Sequence, residues 1–195
     1  MNTAAALIFF VFAGLFSPGP NVVMLTTSGA RFGFRATVPH LLGVPVGTGL
    51  LAAASTLGVG TVLFAAPGLK LALQILAALW IVYLAWGMAQ AGRVGRAAGL
   101  GKPFTFVQAV LFQAVNPKVW AIALAAAAGF ASGRPPAAEA LWFFCVFAGI
   151  NLSVGVFWTT AGHLLAGVLQ ADRVWRGFMV GMAGLMAFSA VLIFL

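Results

Sequence analysis

Gln113-Ala-Val-Asn-Pro-Lys118 lies in the middle of an apolar stretch running from about Phe104 to Phe130. No acidic side chain is near Lys118 in sequence. The lysine sits about 14 residues into the stretch, roughly 21 Å along a helix, which makes snorkelling to an interface hard. A cation at that depth in a bilayer is costly and marks a function. Asn116-Pro117 also interrupts the segment, because proline removes a backbone donor and clashes with the preceding turn. A second interruption, Ser17-Pro-Gly-Pro-Asn21, divides the apolar run near the N-terminus. Two broken membrane segments, one per half, point to a transporter with its binding site at the bilayer midplane.

Composition agrees with a membrane location. Of 195 residues, 63% are hydrophobic and only 6% charged, against about a quarter charged in soluble domains. The fold class is therefore an all-α integral membrane protein with no soluble domain. The length accommodates about six spans of ~20 residues. They run approximately Asn2–Ser28, Val38–Ala66, Leu69–Ala91, Phe104–Phe130, Ala138–Leu169 and Val174–Leu195. The second and fifth are long enough to tilt or kink, and Pro45 supplies a reason in the second. Residues 1–195 form one transmembrane domain. The run Ala4 to Phe16 has the length of a signal-peptide core, but no Lys or Arg precedes it and Ser-Pro-Gly-Pro is a poor cleavage site. It reads as the first half of a broken span.

The net charge of +8 is scattered singly through the loops, which excludes a nucleic-acid surface and marks topology instead. The loops after spans one, three and five hold Arg31, Arg35, Arg93, Arg96, Lys102, Arg173 and Arg176. Those after spans two and four hold only Lys70 and Arg134. This bias places the odd loops in the cytoplasm and both termini outside. Three spans per half is an odd number, so halves related as repeats must insert in opposite orientations. A shift of 97 residues places Pro20 on Pro117 and Asn21 on Lys118, and aligns Phe9–Leu15 with Phe106–Phe112. Repeat one covers about 1–92 and repeat two about 103–195, with spans one and four broken at the proline motifs.

Ser17-Pro18 and Asn116-Pro117 both read as an N-cap followed by proline in the first helical turn, where proline is tolerated. Each broken span then gives two half-helices. Opposite insertion aims both new N-termini at one central zone, each with free N–H groups and a positive dipole end. Lys118 adds a full charge, so the pocket suits a carboxylate. An amino group would need acceptors from Asn21, Asn116, Asn151 or carbonyls released at the breaks, since Glu139 and Asp172 lie in or beside loops. The expected ligand is a small zwitterion or anion, with Ser17, Pro18, Gly19, Pro20, Asn21, Asn116, Pro117, Lys118, Asn151 and Trp158 as binding residues. No metal site is expected, because hard cations want carboxylate oxygens.

His40 and His163, near the ends of long spans, or Lys118 itself, are candidates to carry a coupling proton. An interfacial hydrogen-bonding role is the plainer reading of each histidine. Gly43-x-x-x-Gly47 and Gly177-x-x-x-Gly181 are small-residue packing seams, between repeats or between protomers of a homodimer. Trp80, Tyr83, Trp86, Trp142 and Trp175 read as interfacial anchors or packing. Cys145, the only cysteine, forms no internal disulfide and reads as a small buried apolar residue.

These residues resemble the LysE/RhtB amino-acid exporter family of the lysine exporter superfamily. The likeness is carried by Ser17-Pro-Gly-Pro-Asn21, Gly33-Phe-Arg35, Leu42-Gly43, Tyr83-Leu84-x-Trp86, Asn116-Pro-Lys118 and Ala161-Gly-His-Leu164. It implies six spans, a bacterial inner-membrane location, export of amino acids or derivatives, and proton antiport. The Gly-Phe-Arg loop and the late Ala-Gly-His-Leu are most similar to cysteine and O-acetylserine exporters. Many members carry an acidic residue in span two, where this chain has Gly47-Thr48-Gly49. That departure weighs against a cationic substrate such as lysine and against a carboxylate proton relay.

Two other classes compete. An intramembrane enzyme would use Ser17 as nucleophile and Lys118 as base, but Ser17 is better read as an N-cap, and no HExxH is present. A metal-ion exporter on a related scaffold lacks acidic ligands. No GxxxxGK[ST] motif is present, so an ion gradient is the expected energy source, and no cofactor is expected.

Overall fold

Proline and glycine positions set most of the helix boundaries. The computed structural model describes residues 3–58, 67–90, 102–169 and 171–191. Within them the chain forms α1 (Thr3–Phe16), α2 (Pro20–Phe32), α3 (Phe34–Thr56), α4 (Pro67–Ala89), α5 (Phe106–Ala114), α6 (Pro117–Phe130), α7 (Pro136–Leu165) and α8 (Asp172–Val191). α2, α6 and α7 each begin with proline in the first turn, where its missing N–H and fixed φ cost nothing. α5 begins at a capping box. The Gln108 amide donates to Thr105 Oγ1 and the Thr105 amide donates to Gln108 Oε1.

The fold is an all-helical integral membrane protein. α3, α7 and α8 are each long and apolar enough to cross a bilayer. The pair α1/α2 bends by 58° and the pair α5/α6 by 63°, so spans one and four are broken where the proline motifs stand. α4 is 23 residues long and includes the shorter apolar stretch Gln74–Ala89.

Several boundaries differ from expectation. Span one continues through Phe32, so Arg31 lies in the last turn of α2 rather than in a loop. The connection to α3 is the single residue Gly33, whose φ of 83° belongs to the left-handed region that glycine adopts freely. Span two ends at Thr56, ahead of Gly58 at φ 80°. Pro39 and Pro45 lie inside α3 without ending it. Arg35, Lys70, Arg173 and Arg176 likewise lie at the starts of α3, α4 and α8 rather than in loops. Arg93 and Arg96, and the expected span ends at Asn2, Ala66, Ala91 and Leu195, lie outside the described residues.

Packing interleaves the two halves. α3 packs along α5, α6 and α7, while α7 also packs on α1 and α2, and α4 pairs with α8. One apolar core joins α2, α4, α5 and α8 through Val23, Ile81, Phe112 and Met186. A second joins α1, α3, α6 and α7 through Leu7, Ala52, Ala123 and Phe147.

Glycine permits the closest approaches. A Cβ at Gly29 would lie 2.3 Å from the Thr159 carbonyl oxygen, and one at Gly162 would lie 2.0 Å from that of Thr26. α2 and α7 therefore touch backbone to backbone. The Gly43/Gly47 seam behaves as expected. Cβ atoms there would meet Phe106 O at 2.4 Å and Gln113 Cγ at 2.6 Å, so it packs α3 on α5. Nothing lies within 4 Å of Gly177 or Gly181, so that seam joins no described element of the chain. Cys145 is exposed rather than buried. It shares an outward face of α7 with Leu141 and Leu152, a face that meets lipid in a membrane helix.

Candidate substrate cleft at the two breaks

The two proline motifs, about a hundred residues apart in sequence, form one site. A cleft is lined by Gly19, Pro20 and Asn21 at the start of α2, by Asn116 and Lys118 at the start of α6, and by Asn151 and Trp158 on α7. Leu15, Val22, Leu25, Val119 and Val154 supply apolar wall. Seven of the expected binding residues therefore line one cleft. Ser17, Pro18 and Pro117 are not among its lining residues.

Lys118 bridges the breaks. Its ammonium donates to the carbonyl oxygens of Ser17 and, at 3.3 Å, Pro18. These carbonyls are freed because the chain leaves helical geometry between α1 and α2. An ammonium carries three donors, so one remains for a ligand. Gly19 makes this possible, since a Cβ there would stand 2.8 Å from Lys118 Cδ and 3.0 Å from Nζ.

The capping differs from the sequence reading. Ser17 is not the N-cap of α2. Its hydroxyl donates back to Gly14 O at 2.9 Å, and Gly19 occupies the cap position. The second proline of the motif, not the first, starts the helix. Asn116 does hold the N-cap position of α6, but its side chain makes no capping bond. Instead Asn116 Nδ2 reaches Gln113 Oε1 at 3.4 Å. The amides of Val119 and Trp120 both turn onto Asn116 O, which leaves this helix end with fewer free donors than expected.

Gln113 is the residue that sequence reasoning missed. It is 1% exposed and pairs reciprocally with Asn21. Asn21 Nδ2 donates to Gln113 Oε1 at 2.8 Å, and Gln113 Nε2 donates to Asn21 Oδ1 at 3.1 Å. Gln113 Nε2 also donates to Ala109 O at 2.9 Å. This clasp ties the start of α2 to the end of α5. The available signal was an uncharged amide three residues before Asn116 in an apolar run. Gly47 is part of the same arrangement, because it leaves room for the Gln113 side chain. Thr48, where an acid was noted as missing, accepts from Asn151 Nδ2 at 3.1 Å and donates to Pro45 O at 3.0 Å.

Two buried polar atoms lining the cleft have no partner: Asn116 Oδ1, an acceptor, and Trp158 Nε1, a donor. Such atoms are costly unless a ligand or water meets them. Trp158 is held in place by ring contacts with Phe16 at 5.4 Å and Phe157 at 5.3 Å.

His40 and His163 lie elsewhere. His40 is 2% exposed in α3, its ring 5.3 Å from that of Phe104. His163 is exposed on α7 beside Gly33. Of the two acids, Glu139 serves the α6–α7 connection. Its carboxylate accepts from the Ser132 amide and hydroxyl and the Arg134 amide, and Arg134 Nη1 stands 3.9 Å away. Among the described residues, no three His, Cys, Asp or Glu side chains gather where they could hold a metal ion.

No curated protein and no solved structure matches the chain. A family model does, over residues 3–195. With its two broken spans and the cleft between them, the chain belongs to the LysE type translocator family, membrane transporters of amino acids or related compounds.

Proposed function

We propose that this protein exports a small neutral amino acid or derivative from the cytoplasm, in the manner of cysteine and O-acetylserine or homoserine and threonine exporters. The observation that carries this reading is the chemistry of the cleft. It combines the Lys118 ammonium, an unpartnered donor at Trp158 Nε1 and an unpartnered acceptor at Asn116 Oδ1, with no carboxylate in the lining. A zwitterion fits that set. Its carboxylate takes Lys118 and the indole N–H, and its ammonium takes the Asn116 oxygen. A second cation beside Lys118 would be repelled, which argues against lysine-like and metal-ion substrates.

The transporter would sit in the bacterial inner membrane with its termini outside the cytoplasm, a reading supported by the bias of basic residues flanking the spans. Exchange would be driven by proton antiport, with Lys118, His40 or His163 as the coupling group. Alternating access would come from one three-span repeat rocking against the other. The starts of α2 and α6 at Pro20 and Pro117, the aligned prolines, support that reading. So does the way α3 of one half packs on the broken span of the other while α7 does the reverse. In a homodimer, the outward-facing Gly177 and Gly181 are where a second copy would pack.

The test is uptake into inverted membrane vesicles with the proton gradient imposed or collapsed. The labelled panel is cysteine, O-acetylserine, homoserine, threonine, leucine and lysine. Gradient-dependent uptake of a neutral subset, lost in Lys118→Ala, is the expected result. Preferential uptake of lysine, or no uptake of any member by correctly inserted protein, would overturn the proposal.

A further inference from the structure

A second cavity lies at the other end of α2. Asn21 sits at the start of that helix in the central cleft. Arg31, ten residues on, is about 15 Å further along it. Among the described residues, the cavity shares no lining residue with the cleft. Its walls come from α2, α3, α4, α8 and the segment 102–104 before α5.

One part of the lining is cationic and polar. Arg31, Lys102 and His40 all contribute to it, and no carboxylate does. Arg31 Nε and His40 Nδ1 are both buried with no hydrogen-bond partner. His40 is 2% exposed, so water does not serve it freely. The neighbouring hydroxyls have spent their protons. Thr27 donates to Val23 O at 2.8 Å. Thr37 donates to Gly33 O at 2.9 Å, so in its 2.9 Å contact with Ser28 the serine is the donor. The donors left for a ligand are those of Arg31, Lys102 and His40.

The remaining lining is apolar and adaptable. Met24, Met88 and Met179 converge on the cavity with Leu84 and Phe104. Unbranched thioether side chains re-pack around differing apolar shapes. Arg31 is fixed over the Phe32 ring, its Cζ 5.0 Å from the centroid.

A helix-terminal role explains part of this. A cation in the last turn of α2 complements the helix dipole, and the His40 ring packs on Phe104. Neither accounts for two orphaned nitrogens and a second cation, Lys102, around one cavity. Buried polar atoms without partners are uncommon in folded proteins.

We propose that this cavity is a second binding site, for an amphiphilic monoanion. A carboxylate or phosphate head is held by Arg31, His40 and Lys102, and an apolar body lies along Met24, Met88 and Met179. The site is independent of the central cleft and stands whether or not the proposed export activity does.

The methionines make the site directly observable. The protein is labelled with ¹³C at the methionine methyl groups and placed in phosphatidylcholine nanodiscs. Hexanoate is titrated in, with hexylamine as a control of equal tail and opposite charge. Saturable shifts of Met24, Met88 and Met179 are expected with hexanoate. Met186, buried in the same core but outside the lining, stays in place. Arg31→Gln is expected to weaken the response at least tenfold with the Met186 signal unchanged, while Lys118→Ala leaves it intact. A parallel sample in phosphatidylglycerol nanodiscs identifies the source of the anion. Shifts there without hexanoate assign the head to a lipid phosphate, and shifts only on adding hexanoate assign it to a soluble carboxylate. No shift with either anion, equal shifts with hexylamine, or an undiminished response in Arg31→Gln would overturn the proposal.

Discussion

Replacing Gly162 by alanine adds one methyl group where the chain has no room for it. The new Cβ would stand 2.0 Å from the Thr26 carbonyl oxygen and 3.0 Å from Thr26 Cα. Ordinary contact begins near 3.4 Å, so α2 and α7 would have to separate by about 1.4 Å at this point. The obstacle is backbone, which has no rotamer to escape into. Overpacking of this kind costs about 1–3 kcal/mol and occasionally more. Alanine returns up to about 1 kcal/mol through its better helix propensity. The expected net is a loss of about 1–2 kcal/mol, near the upper end because the clash is backbone on backbone. Gly149→Ala, on the same helix, is the internal control, since nothing lies within 4 Å of a Cβ at that position. It should be neutral, or stabilising by up to about 1 kcal/mol. The assay is thermal unfolding of the purified protein in nanodiscs, followed by circular dichroism at one scan rate. Vesicle uptake is measured alongside, because Asn21 on α2 and Asn151 and Trp158 on α7 line the same cleft. Equal apparent Tm and equal uptake for Gly162→Ala and Gly149→Ala would refute the proposed close packing of these helices.

Three further outcomes are expected. Gln113→Leu removes the amide clasp and leaves Asn21 and Asn116 without their partner; at about 0.6–1 kcal/mol per interhelical hydrogen bond it should cost about 2 kcal/mol, with uptake falling more than in Gln108→Leu, whose side chain is exposed. Glu139→Gln keeps one acceptor oxygen but loses the charge that gathers the Ser132 and Arg134 donors; a lowered Tm corresponding to about 1–2 kcal/mol, with the substrate panel unchanged, is expected, and an altered panel would show that Glu139 acts on the cleft. In a Cys145→Ser background, Arg35→Cys should react with a membrane-impermeant maleimide in inverted vesicles and not in right-side-out ones, and the reverse result would invert the assigned orientation.

Much of this protein was legible in its sequence because the deciding features are local. A chain with 6% charged residues cannot solvate its own surface and must lie in a bilayer. Proline removes an amide donor wherever it stands, so the Pro18/Pro20 pair and Pro117 mark two helix breaks without any tertiary information. A meeting of the two breaks followed, because paired broken spans must satisfy their freed backbone groups somewhere out of lipid. Local reasoning failed at the caps. Ser17 and Gly19 both fit before a proline, and the choice of Gly19 rests on its closeness to Lys118, distant in sequence.

The tertiary structure alone decided what each polar group does. Gln113 is one of several uncharged amides in the sequence, and only the crossing of α2 and α5 pairs it with Asn21, 92 residues away. Lys118 reads as a free charge in sequence, yet in the fold it is held by the Ser17 and Pro18 carbonyls across the other break. The exposed Cys145 and the unpacked Gly177/Gly181 seam show the same division. Composition fixes the solvent and proline fixes the breaks, because both act within one helical turn. Which side chain faces which depends on helix rotation and crossing, and those are set by contacts between segments that no local pattern encodes.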